Sequence, residues 1–101
     1  MDTHDLSTEA YNAVFIISER FRHDLTLQFG LLSDHCSDEE DFLDKSLSLI
    51  EEFKTIGVED LENVFFEDMP DLAAFRRVLE NISHEIIKVK DIPMVERRFD
   101  E

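Results

Sequence analysis

Leu72, Phe75, Val78, Leu79, Ile82, Ile86 and Val89 recur at intervals of three and four residues. That spacing puts one apolar stripe along an α-helix, with Arg77, His84 and Lys88 on the opposite side. A half-buried strand would instead alternate apolar and polar residues. The helix is predicted over 70–89, with Pro70 tolerated at its start because a first-turn N–H has no partner in any case. Two Gly and two Pro in 101 residues leave little material for tight turns. An all-β chain is therefore disfavoured.

Three further segments carry helical patterns. Over 8–32, with Ser7 as N-cap, Ala10, Val14, Ile17, Phe21, Leu25 and Leu32 share one stripe. Asn12, Glu19, His23 and Thr26 oppose it, and Ala13, Ile16, Leu27 and Leu31 make a second apolar flank. A helix apolar over so much of its girth must be covered on most sides. This flank is thus the expected self-association face of a homodimer, unless the tail covers it. Over 38–56, Ser37-Asp38-Glu39-Glu40 fits a capping box, and Phe42, Leu43, Leu49, Ile50, Phe53 and Ile56 line the apolar side, with Leu47 at its margin. Gly57 is the expected C-cap. A short helix is predicted over 58–66. Pro93 ends the last helix, and residues 91–101 read as a tail packing through Ile92, Met94, Val95 and Phe99.

Leu, Ile, Val and Phe form about a third of the chain, well above the ~20% typical of disordered acidic segments. The expected architecture is all-α: a single domain over 1–101, a compact antiparallel bundle of three long helices and one short one.

The net charge is −15, unevenly spread. Residues 34–71 carry fourteen acids and two bases, whereas 72–98 carry four acids and six bases. Such a balance argues against nucleic acid or anionic lipid as a direct partner and suits a basic protein partner. The candidate docking face is Asp38, Asp41, Asp44, Glu51, Glu59 and Asp60. Its plainest alternative is a solvated face partly neutralised by the basic helix beside it. A special case is mimicry of a nucleic-acid backbone by an inhibitor or immunity protein that occupies a basic groove.

Chemical motifs are sparse. Glu19/His23 and Glu80/His84 stand at i, i+4, but the helical wheel turns both pairs outward, whereas bundle metal sites project inward. His84 with Lys88 would suit a phosphotransfer bundle, yet such domains carry a basic residue and a Gly where Ile87 and Lys88 stand here. A metal or phosphotransfer role for His23 or His84 is therefore the minor alternative. Asp34-His35-Cys36 lacks an oxyanion loop, and Cys36 reads as a structural residue whose thiol neighbouring acids hold protonated. The run from Asp38 to Asp44 lacks the central Gly of a calcium loop. There is no P-loop, dinucleotide fingerprint, nucleophile elbow or HExxH. One cysteine excludes an intrachain disulfide, the first residues do not read as a signal peptide, and no apolar run approaches the ~18 residues needed to cross a bilayer. The expectation is a non-enzymatic cytoplasmic protein without cofactor, acting through protein–protein contacts.

Overall fold

Ser7 starts the first helix as its position suggests. Its backbone is extended and its hydroxyl accepts the Ala10 N–H at 3.2 Å, which satisfies one of the free donors of the first turn. The computed structural model describes residues 2–16, 21–55 and 72–99, with the backbone alone for Arg22. Four helical stretches follow in order: α1 (Thr8–Tyr11), which runs directly into a π turn (Asn12–Ile16), then α2 (Arg22–Ser33), α3 (Glu39–Thr55) and α4 (Leu72–Lys90). Single 3-10 turns lie at Thr3–Asp5 and Met94–Glu96. Among the described residues there is no strand beyond an isolated bridge between Ser7 and Phe99. The fold is an all-α bundle, with α3 packed along α4 and the π turn wedged against α2 and α4. The predicted short helix 58–66, Gly57, Pro70, Ile17 and Ile56 lie outside the described residues.

The single helix expected over 8–32 is not continuous. A π turn holds more residues than an α turn, so the wheel rotates across Asn12–Ile16. Ala13, Val14 and Phe15 all become buried there, although Phe15 falls off the stripe of an ideal α-helix. Phe21 then leaves helical geometry altogether (φ −111°, ψ 27°), and α2 restarts after it without a side-chain cap. What holds Phe21 in this break is packing: its ring meets Phe75 edge-on, with centroids 5.2 Å apart. Phe53 reaches the same Phe75 ring at 6.3 Å, and Phe15 stacks on Phe42 at 6.1 Å. Aromatic contacts thus tie the start of α2 and the end of α3 to α4, and the π turn to α3.

The predicted stripes of α3 and α4 are the core. Phe42, Leu43, Ile50 and Phe53 are buried from α3, and Phe75, Leu79, Ile82, Ile86 and Val89 from α4. Phe29 of α2, outside the predicted stripe, is also fully buried. The cap of α3 differs from the expectation by one residue. Asp38, not Ser37, accepts the Asp41 N–H (2.8 Å), and the Asp41 carboxylate reaches back to the Ser37 N–H (3.0 Å). Glu40, the residue that would reach back in the expected box, is thereby left free for another partner, and Glu39 beside it is buried, which has consequences described below.

Ser46 sits in the middle of α3, buried, with no hydrogen-bond partner for its hydroxyl among the described residues. An unpaired buried hydroxyl costs about 1–3 kcal/mol. Ser46→Ala removes that cost and improves helix propensity. The expected result is a rise in the urea midpoint; a fall would show the hydroxyl to be satisfied.

Candidate protein-contact surfaces

The residues just after Pro93 are short of apolar contacts. Val95 is 94% exposed, and Met94 and Phe99 are nearly half exposed. The expectation that the tail packs through these side chains, with Ile92, is therefore corrected; only Ile92 of the four is half-buried. What holds the segment is charge and backbone pairing. Arg97 is buried, and its Nη1 donates to Glu39 Oε2 at 2.8 Å and to Glu40 Oε1 at 2.6 Å, while its Nε donates to the Ile92 carbonyl at 3.0 Å. Glu39 also accepts the Ser7 N–H (2.5 Å) and the Ser7 hydroxyl (3.0 Å). One buried carboxylate thus joins the cap of α1, the first turn of α3 and the tail. Burial alone would push the Arg97 guanidinium down, but its hydrogen bonds to Glu39 and Glu40 carry it above its ordinary value.

Beside this cluster the chain closes on itself. The Thr8 N–H donates to the Arg98 carbonyl at 2.6 Å, the Arg98 N–H to Glu9 Oε2 at 2.9 Å, and Arg98 Nε to Glu9 Oε1 at 2.8 Å. The Arg98 side-chain hydrogen bond, and then its backbone N–H, hold the Glu9 carboxyl down at about 2. A carboxyl lowered in the folded state stabilises above its unfolded value and loses that contribution as protons return. Stability is therefore expected to fall between pH 4.5 and about 2. Glu9→Gln should flatten that limb of a urea-midpoint profile against pH; an unchanged slope would remove Glu9 from the account.

The candidate acidic face is only partly free. Asp38 and Asp41 are occupied as caps, and Asp41, lowered by the Ser37 N–H and then by Lys45, pairs with Lys45 Nζ at 3.2 Å. Asp44, 60% exposed, is reached by Lys90 from α4. Glu51, 70% exposed, lies 3.5 Å from Lys54, which also faces Glu80 at 3.7 Å. Glu59 and Asp60 lie outside the described residues. Glu52, absent from the predicted set, stands exposed on the same helix.

The second apolar flank divides. Ala13 is core. Ile16, 40% exposed, joins Ala13, Val89 and Ile92 on the floor of an open groove of about 530 Å³ between the first helical stretch and α4. The ion pairs Glu9–Arg98 and Glu85–Lys88 stand along its rim. Leu27 and Leu31 remain exposed one turn apart on α2 (41% and 53%). Of the expected face, Ala13 is thus core, Ile16 lines the groove, and Leu27 and Leu31 are exposed on α2.

His23 and His84 are exposed, as the wheel places them. Cys36 is buried and donates its S–H to the Leu32 carbonyl at 3.2 Å; burial, and then the Asp41 charge, push its thiol up. Such a thiol is a poor nucleophile. Among the described residues no three of His, Cys, Asp and Glu converge as a metal set. No helix among them is long and apolar enough to cross a membrane. Compared with known proteins, the chain matches no family model, and no curated protein or solved structure matches it either.

Proposed function

We propose that this is a non-enzymatic acidic helical protein that works by contact with a basic protein surface, in the cytoplasm, without cofactor. The observation that supports this most is where its own cations go. Among the described residues, Lys45, Lys54, Lys88, Lys90, Arg97 and Arg98 each pair with a carboxylate of the same chain, while Arg76 and Arg77 stand exposed on α4. Those six are spent on the fold, and with a net charge of −15 the balance offered to a partner is negative. That favours a basic protein over nucleic acid or an anionic membrane. The groove supports the non-enzymatic reading: its floor is apolar, and its rim charges are paired with each other.

The test is a pull-down from native lysate at low and moderate salt, repeated with the triple variant Asp44→Lys, Glu51→Lys, Glu52→Lys. These side chains are exposed, and their pairs contribute at most about 1 kcal/mol, so the fold should persist. The expected result is a basic partner that salt releases and that the triple variant binds at least about tenfold more weakly, a change of 1.4 kcal/mol. Equal binding by parent and variant would overturn the reading. Competition of that partner by duplex DNA would narrow it to nucleic-acid mimicry.

A further inference from the structure

Gly30 is the starting point. It lies inside α2, half-buried, and a Cβ built there would meet nothing within 4 Å. Its φ is not positive. Neither backbone conformation nor close approach by the described residues requires glycine, although glycine is the least favourable non-proline residue in a helix interior. On the helical wheel, His23, Thr26, Leu27, Gly30, Leu31 and Asp34 occupy one contiguous outward face. Asp34 keeps right-handed helical dihedrals (φ −64°, ψ −19°), so it continues that face past the end of the helix. Two exposed leucines one turn apart thus flank a shallow hole floored by Gly30, with an imidazole at one end of the face and a carboxylate at the other.

We propose that this face of α2 is a self-association surface, and that its occupant is α2 of a second copy lying antiparallel across a two-fold axis midway between Leu27 and Gly30. An isologous interface must be complementary to itself, and this face is. In the antiparallel arrangement Leu27 of each copy enters the hole formed by Leu27, Gly30, Leu31 and Asp34 of the other, the knob-into-hole packing of helix pairs. His23 of each copy then stands over Asp34 of the other, with imidazole against carboxylate. The parallel arrangement would set Asp34 against Asp34 and lose the imidazole–carboxylate contact, so this pair selects both the orientation and the register. A helix of twelve residues spans only about 18 Å. Its one face is smaller than the ~800 Å² per partner of a standard interface, so the dimer is weak and concentration-dependent. Two molecules of charge −15 also repel. Screening shortens from about 10 Å at 0.1 M salt to 3 Å at 1 M, so the dimer tightens as salt rises. This is opposite to the basic-partner contact, which salt weakens, and the two readings therefore fail separately.

Sedimentation equilibrium from about 10 µM to about 1 mM protein, at both salt concentrations, gives the test. The expected result is a mass rising from 11.9 kDa towards twice that value, and rising further in high salt. Gly30→Leu fills the hole, and because its Cβ meets nothing among the described residues and Leu favours the helix, it should keep or raise the thermal midpoint and leave a monomer. Asp34→Lys alone and His23→Glu alone should each weaken the dimer at least threefold, and the double variant should restore it. A monomer across the whole range would overturn the proposal. So would a dimer indifferent to Gly30→Leu, or failure of the double variant to recover.

Discussion

Replacing Arg97 by Ala is expected to cost about 3–5 kcal/mol of stability, the usual cost of removing one partner of a buried ion pair. The pair it forms with Glu39 is buried on both sides, each side chain being 2% exposed. Removing the guanidinium strands a carboxylate in the interior, and that uncompensated charge, rather than the loss of attraction, sets the size of the effect. Glu39→Gln combined with Arg97→Met should recover part of the loss, because neither residue then carries a buried charge, and the amide oxygen can still accept from Ser7. Domains of this size are stable by about 5–15 kcal/mol, so Arg97→Ala alone can bring the chain near its unfolding midpoint. Urea denaturation followed by circular dichroism measures both variants. A cost below about 1 kcal/mol for Arg97→Ala would place the pair with exposed ion pairs and dissolve the account of the tail.

Phe42→Ala is expected to cost a similar 3–5 kcal/mol, for a different reason. Its ring is fully buried and stacks on Phe15 across the π turn. Truncation leaves a cavity where two helical elements meet, so neither can close it without losing its other contacts. The control is Phe99→Ala, which alters an aromatic residue 44% exposed beside the Ser7 bridge. It should lie within about 0.5 kcal/mol of the parent, as surface substitutions do. Comparable losses at Phe42 and Phe99 would mean that the tail packs as an apolar element after all.

These two side chains also mark how far the sequence could be read. Phe42 is legible: it lies on an i, i+3, i+4 stripe, and the described residues of the α3 and α4 stripes are buried or half-buried. Arg97 is not legible. A charged residue in an acidic chain is expected at the surface, and its partner Glu39 lies 58 positions away. The nearest sequence signal was the row of acids opening α3, which reads equally well as helix-start charge. Asp38 takes the cap, and Glu39, the next residue, is buried against Ser7 and Arg97. The candidate acidic face was half legible for the same reason: the exposure of Asp44 and Glu51 follows from periodicity, but the reach of Lys90 to Asp44 depends on how α3 lies against α4.

Local sequence settles what a helix decides within a turn or two. The all-α class, the cap at Ser7, the buried faces of α3 and α4 and the outward His23 and His84 follow from periodicity and local hydrogen bonding, which neighbouring residues settle among themselves. Tertiary packing settles what local energies leave balanced or disfavour. A π turn is locally rarer than an α turn, and the burial of Phe15 and Phe21 against other helices accompanies the break of the first segment. The same packing buries Ala13 in the core and puts Ile16 in a groove, while Leu27 and Leu31 stay exposed on α2. A buried ion pair is likewise unfavourable until three distant segments are already in place around it, so no stretch of sequence read alone announces it.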